Sequence, residues 1–130
     1  RNLPETCFQS LKTFKALAGH ISVSTLRTLA KNCSQLSTLE ISSCHVSNMD
    51  SALDGFLKFN RHFTSFSASG SRITERGLGI LAITSPKLSV LGVADCHFAC
   101  SGLVKLAEAC DLQDLDISDC VQVDDACLRD

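Results

Sequence analysis

One apolar pattern, LxxLxLxxCxL, recurs five times along the chain and limits what it can fold into more than any other feature. Its fullest copies are residues 36–46 (LSTLEISSCHV) and 88–98 (LSVLGVADCHF), with a shorter one at 112–120 (LQDLDISDC). Two weaker copies fall into the same register, one at Leu11, Phe14, Ala16, Gly19 and Ile21, the other at Phe63, Phe66, Ala68, Ser71 and Ile73. The copies start at 11, 36, 63, 88 and 112, so successive starts are 25, 27, 25 and 24 residues apart. The fifth carries one extra residue before its last position, Val123.

Each copy begins with period-two alternation, the mark of a short strand with one buried face. Beyond the strand the period changes. Leu26, Leu29, Ala30 and Cys33 stand at i, i+3, i+4 and i+7, as do Leu53, Phe56, Leu57 and Asn60, then Leu78, Leu81, Ala82 and Ser85, then Leu103, Leu106, Ala107 and Cys110. That spacing predicts one apolar stripe on a helix, at the same offset in each unit. Ser22 or Ser24, Asp50, Thr74, Ser101 and Asp124 are placed to cap these helices. One strand and one helix cannot bury their own apolar faces, so each unit must stack on the next, strands on one side and helices on the other. A charge at Leu91 is therefore expected to be far worse than one at Gly92. The chain is read as one domain over residues 1–130, expected to be part of a longer repeat protein because neither end carries a polar cap. The first ten residues, with Pro4 among them, read as a loop.

The formal charge of -2 gives no basic footprint for nucleic acid or for an anionic membrane surface. Charge is nevertheless polarised: residues 1–65 hold seven Lys/Arg against four Asp/Glu, and residues 66–130 hold five against ten. No apolar run approaches a membrane span. The eight cysteines lie mostly within apolar-periodic segments and form no CxxC pair, so they are expected to be buried thiols of a cytoplasmic or nuclear protein. Among the strand-end cysteines, Cys96 and Cys120 are the only neighbours that could form a disulfide between stacked units. Cys44-His45 and Cys96-His97 suggest a metal site, but two stacking steps put them roughly 10 Å apart, too far to share one ion. No metal or cofactor is expected. A Gly-rich phosphate loop, HExxH and GxSxG are all missing from the sequence, and Asp124-Asp125 sit at a helix start, so no enzyme activity is expected.

The pattern resembles the leucine-rich repeats, and within them the cysteine-containing subclass. The residues that carry the likeness are Cys44, Cys96 and Cys120 in a structural ladder after the strand, and Cys33 and Cys110 near the helix ends. Gly19 and Ser71 depart from it at the ladder position, as do Ala16 and Ala68 in the strand. The resemblance implies an α/β fold of ribonuclease-inhibitor type: a right-handed strand-helix solenoid of about five repeats, with a concave parallel sheet and helices on the convex side. It implies binding through the concave face. The outward strand positions there include Lys15, Thr38, Glu40, Ser42, Ser65, Ser67, Val90, Gly92, Asp114 and Asp116. Small residues fill the centre and acids collect at the end, where Asp95 and Asp119 join them, a surface suited to a protein partner with basic groups. His20, His45, Arg72 and His97 form a column along one edge.

Three functions fit the resemblance. The first is a noncatalytic protein-interaction module or scaffold. The second is the substrate-recognition segment of a ubiquitin ligase of the F-box/leucine-rich-repeat type, and the third is a scaffold subunit of a large constitutive assembly. In each, an uncapped end is expected to contact further repeats or another subunit.

Overall fold

In a computed structural model, the described residues are 8–45, 48–61 and 63–128, with the side chains at 17, 18, 20, 44 and 45 outside the description. Strands and helices alternate: β1 (Thr13–His20), α1 (Val23–Asn32), β2 (Thr38–His45), α2 (Met49–Leu57), β3 (Ser65–Ser67), α3 (Glu75–Thr84), β4 (Val90–Gly92), α4 (Cys100–Ala109), β5 (Asp114–Asp116) and α5 (Asp125–Leu128). The five strands form one parallel sheet in chain order. Each unit lies beside its sequence neighbours because a 24–27-residue step is just enough for a strand, a helix and two turns.

The register follows the repeat alignment position by position. Phe14 pairs with Leu39, Leu39 with Phe66, Phe66 with Leu91 and Leu91 with Leu115. Just before the strands, the carbonyl of Lys12 accepts from the N–H groups of both Ser37 and Thr38. Ser37, Thr64 and Ser89 repeat that bond toward the next unit. Further along, the N–H groups of Ser43, within β2, and of Gly70 and Asp95, beyond β3 and β4, donate to the carbonyls of Ser69, Ala94 and Ser118. The repeated sequence thus yields a repeated hydrogen-bond rung at both ends of the short strands.

The residue before each ladder position bends the backbone. It has positive φ in four successive units: 55° at Ser43, 73° at Gly70, 53° at Asp95 and 58° at Asp119. Glycine and aspartate tolerate this left-handed region best. Asp95 and Asp119, expected as partner-binding acids, therefore also have a backbone role.

The core lies between the inward strand positions and the helix stripes. Leu36, Leu39 and Ile41, then Phe63, Phe66 and Ala68, then Leu88, Leu91 and Val93 are all buried, together with Leu26, Leu53, Phe56, Leu78, Leu81, Leu103 and Leu106. The rings of Phe56 and Phe63 meet at 5.4 Å between centroids. Each buried Leu contributes roughly 1.5–3 kcal/mol. The stripe fails at one place, for Ala107 is exposed.

The expected helix starts need correction at two points. Ser22, Thr74 and Asp124 cap as expected, accepting from the N–H groups of Thr25, Arg76 and Cys127. The second helix, however, is capped by Asn48, which accepts from Ser51; Asp50 lies inside the first turn and is buried. The fourth starts at Ala99 without a side-chain cap of its own, and Ser101 is already helical. Its Ala99 N–H donates instead to Glu75 Oε2 of the preceding helix. At the fourth start, then, a carboxylate from the neighbouring unit serves the helix end, a role that local sequence does not specify. The loop expected over the first ten residues falls outside the description except at 8–10, and so does Val46 of the second copy.

Candidate functional site

The parallel register carries the outward positions into rows across the sheet. One row runs Thr13, Thr38, Ser65, Val90, Asp114, and the next Lys15, Glu40, Ser67, Gly92, Asp116. Every expected binding residue on the strands lies in these rows except Ser42, which stands one pleat further along. Lys15 is exposed and reaches Glu40, Nζ to Oε2, at 3.6 Å. Both side chains are solvated, so the pair contributes little to stability. It does leave the first two strands nearly neutral.

The centre of the face is lined by hydroxyls that bond to one another and to backbone. Ser42 and Ser67 share a hydrogen bond of 3.3 Å, and Ser69 accepts from the Ala94 N–H at 3.2 Å. Gly92, an ordinary outward position by the repeat alignment, is more constrained than that. A Cβ there would lie 2.8 Å from Ser67 Oγ and 3.3 Å from its Cβ, so even the smallest side chain would displace Ser67. The low centre is thus a packing feature as well as an open surface.

At the far edge Asp114 and Asp116 are exposed, as is Asp119 beyond the strand. Asp116 accepts hydrogen bonds from the Ser118 hydroxyl (2.6 Å) and N–H (3.0 Å). These bonds hold its carboxyl below the usual aspartate range, the hydroxyl being the larger cause. Asp116 therefore keeps its charge as pH falls toward the acid range. Beside this edge stands Asp95, exposed one unit earlier. The strand-end column is met only in its backbone and its later members: His20 and His45 are register partners, with side chains outside the description, and Arg72 and His97 are exposed.

The ladder cysteines are structural. Cys96 and Cys120 are buried free thiols that donate to the carbonyls of Ala68 (3.4 Å) and Val93 (3.0 Å), each one unit back. Ser71 occupies the same ladder position in the third unit and lies 3.8 Å from Cys96 Sγ. The Cys44 side chain lies outside the description. At the helix ends Cys33 and Cys110 are also buried, and Cys110 donates to the Ser85 carbonyl at 3.2 Å. Burial pushes the Cys33, Cys96 and Cys110 thiols above their ordinary range.

A raised thiol pKa gives stability that is fully present while the unfolded thiol is protonated and is lost as pH climbs beyond that point. Folding stability is therefore expected to hold through neutral pH and to fall above the normal thiol range. Replacing Cys33 and Cys110 together with Ala should flatten that alkaline limb in denaturant titrations. An unchanged limb would show that these thiols do not cause it.

The expectation of thiols throughout needs one correction. Cys100 and Cys127 form a disulfide, with Cα atoms 5.9 Å apart, whereas Cys96 and Cys120 remain unpaired. The ladder points its sulfurs at carbonyls; the bonded pair belongs instead to α4 and α5. Cys100 opens α4 while Cys127 is the third residue of α5, so the repeat offset does not align the two and gave no signal of their pairing.

Among the described residues, no three His, Cys, Asp or Glu side chains are grouped as metal ligands would be, and no helix is long and apolar enough to cross a membrane. Comparison of the chain with protein-family models and with curated proteins returns no match.

Proposed function

We propose that the chain is a right-handed strand-helix solenoid of leucine-rich-repeat type, and that it serves as a noncatalytic protein-interaction module. The sheet face carrying Lys15, Glu40, Ser67, Gly92 and Asp116 is its binding surface, concave in the solenoid. The observation that carries this reading is the unbroken register that sets outward residues from five successive strands in one row. Handedness follows from the strong bias of parallel strand-helix-strand connections.

The chemistry of that row points to the kind of partner. Small side chains at Ser65, Ser67 and Gly92 let a partner's backbone approach closely. Asp114 and Asp116 at the edge select for Lys or Arg at one end of the bound segment, more through association rate and register than through raw affinity. The row contains no Trp, Tyr or Arg, the usual anchors of tight interfaces, so the large anchoring side chains come from the partner.

Affinity purification with and without the double substitution Asp114→Lys and Asp116→Lys tests this. Both positions are exposed, so the variant is expected to fold, which circular dichroism checks. Partners recovered by the native chain are expected to be lost or reduced about tenfold or more. An unchanged partner list would remove the acidic end of the sheet from the binding surface.

A further inference from the structure

A groove of about 500 Å³ lies on the helix side of the stack, lined by α3 and α4 alone. Its surface is largely apolar. Ile80 is half-buried, Ile83 is 83% exposed, and Ala109 lines the α4 side. Among the described residues no large apolar side chain is more exposed than Ile83. Gly79 leaves a notch, since a Cβ there would meet nothing within 4 Å. Arg76 on one helix and Lys105 on the other, both exposed, add positive charge. Glu75 lines the groove too, but its Oε2 accepts from the Ala99 N–H. Among the described residues the one ion pair joins Lys15 to Glu40, so neither cation is neutralised within the chain. The surrounding half is acidic: residues 66–130 hold five Lys/Arg against ten Asp/Glu, and two of those five are here.

We propose that this groove is a second interaction surface, and that its occupant is an amphipathic helix of a protein partner with Asp or Glu beside its apolar stripe. The walls are helices, whose backbone groups are bonded internally, so they offer no edge to an extended segment. A segment docking here must satisfy its own backbone, as a helix does. α3 and α4 have ten residues each, about 15 Å of length, which matches about three turns of a partner helix. Apolar side chains at i, i+3 and i+4 then cover Ile80 and Ile83, and one of them enters the notch at Gly79. Acids beside that stripe meet Arg76 and Lys105, which fixes orientation and rejects basic helices. The chain's net charge of -2 disfavours an anionic lipid surface as the occupant. None of these residues lies on a strand, so the inference stands apart from the binding face of the sheet.

Selection on the purified chain from a phage-displayed library of random peptides, each about 15 residues and so longer than the groove, tests the inference. Enriched sequences are expected to carry Asp or Glu beside apolar residues at helical spacing. The most enriched peptide, synthesised with a fluorophore, is then titrated by anisotropy. Arg76→Glu combined with Lys105→Glu should weaken its binding about tenfold or more, and replacing the peptide's acids with Lys should restore binding to that variant. Gly79→Leu fills the notch and removes a glycine from a helix, which favours the fold, yet it too should weaken binding. Asp114→Lys with Asp116→Lys, on the sheet face, should leave binding unchanged. Circular dichroism checks each variant for an intact fold. A selection that enriches nothing, peptides without the acidic bias, or binding that ignores both groove variants would overturn the inference. So would co-sedimentation with phosphatidylserine vesicles that is lost in the Arg76 and Lys105 variant, since lipid would then be the occupant.

Discussion

Leu91→Asp is expected to abolish cooperative folding. Leu91 is 1% exposed and sits in the row of inward residues that passes through all five strands. The substitution removes a buried aliphatic side chain, a loss of about 2–5 kcal/mol, and leaves a carboxylate in an apolar site at a further cost of several kcal/mol. Together these match or exceed the roughly 5–15 kcal/mol that holds a typical domain folded. The control must be an outward residue with room around it. Gly92, the first choice from sequence, is crowded by Ser67, so Val90→Lys is the better one. Val90 lies one residue before Leu91, half-buried on the opposite face and beside Asp114, and its substitution should change stability by less than about 1 kcal/mol. Thermal melts of the two variants decide the matter; equal stability would mean that the assigned faces are wrong.

The second large effect is expected where α2 meets the start of α3. Asp50 is 8% exposed and accepts from the Thr74 N–H at 3.0 Å and from the Thr74 hydroxyl. Thr74 in turn caps α3, so one carboxylate fixes the helix start of the next unit. Asp50→Ala should cost about 1.5–3 kcal/mol, the range for hydrogen bonds to a charged group.

Gly77 lies directly beneath. A Cβ there would run into Asp50 Oδ1 and come within 2.7 Å of Ile73 Cγ1. Helix propensity alone predicts that Gly77→Ala stabilises by about 1 kcal/mol, whereas overpacking costs about 1–3 kcal/mol. A net loss of stability is expected. In the double variant the costs should sum to less than the two singles, because truncating Asp50 opens part of the space the new methyl needs. Strict additivity in urea titrations would mean that Asp50 and Gly77 do not share this contact.

The strands, the helix stripes and nearly all of the core were legible because each depends on a period within one unit. Positions such as Leu91 and Leu106 announce their side by spacing alone. What the spacing hid was contact between units. Asp50 reads as a helix cap in its own unit, but its partner is Thr74, 24 residues on. Gly77 and Gly102 occupy the same place in successive units, and at Gly102 a Cβ would lie 2.8 Å from Glu75 Cα. That recurrence was visible in the sequence, and each glycine marks a close approach to the preceding helix, Gly77 to Asp50 of α2 and Gly102 to Glu75 of α3. Strand lengths were also not legible: β1 and β2 run eight residues each, against three for the others.

On the outward face, the spacing placed these residues in shared rows but did not show their differences in crowding. Lys15, Glu40 and Asp116 behave as solvated charges. Gly92 and Ser67 are held together, and Asp95 and Asp119 bend the backbone. Substitutions at these last four positions would mix effects on fold and on binding, which leaves Asp114 and Asp116 as the cleaner probes.

The central claim is that the chain is a stack of equivalent units, each buried by its neighbours. The most direct measurement is of a variant with residues 88–111 repeated, a second copy inserted between Asp111 and Leu112. The inserted strand would meet β4 on one side and β5 on the other in the register already observed. The stack account predicts a folded protein, with circular dichroism raised in proportion to the added strand and helix and a cooperative melt at the same or a higher temperature. An insertion that unfolds the protein, or that adds residues without adding ordered structure, would contradict it.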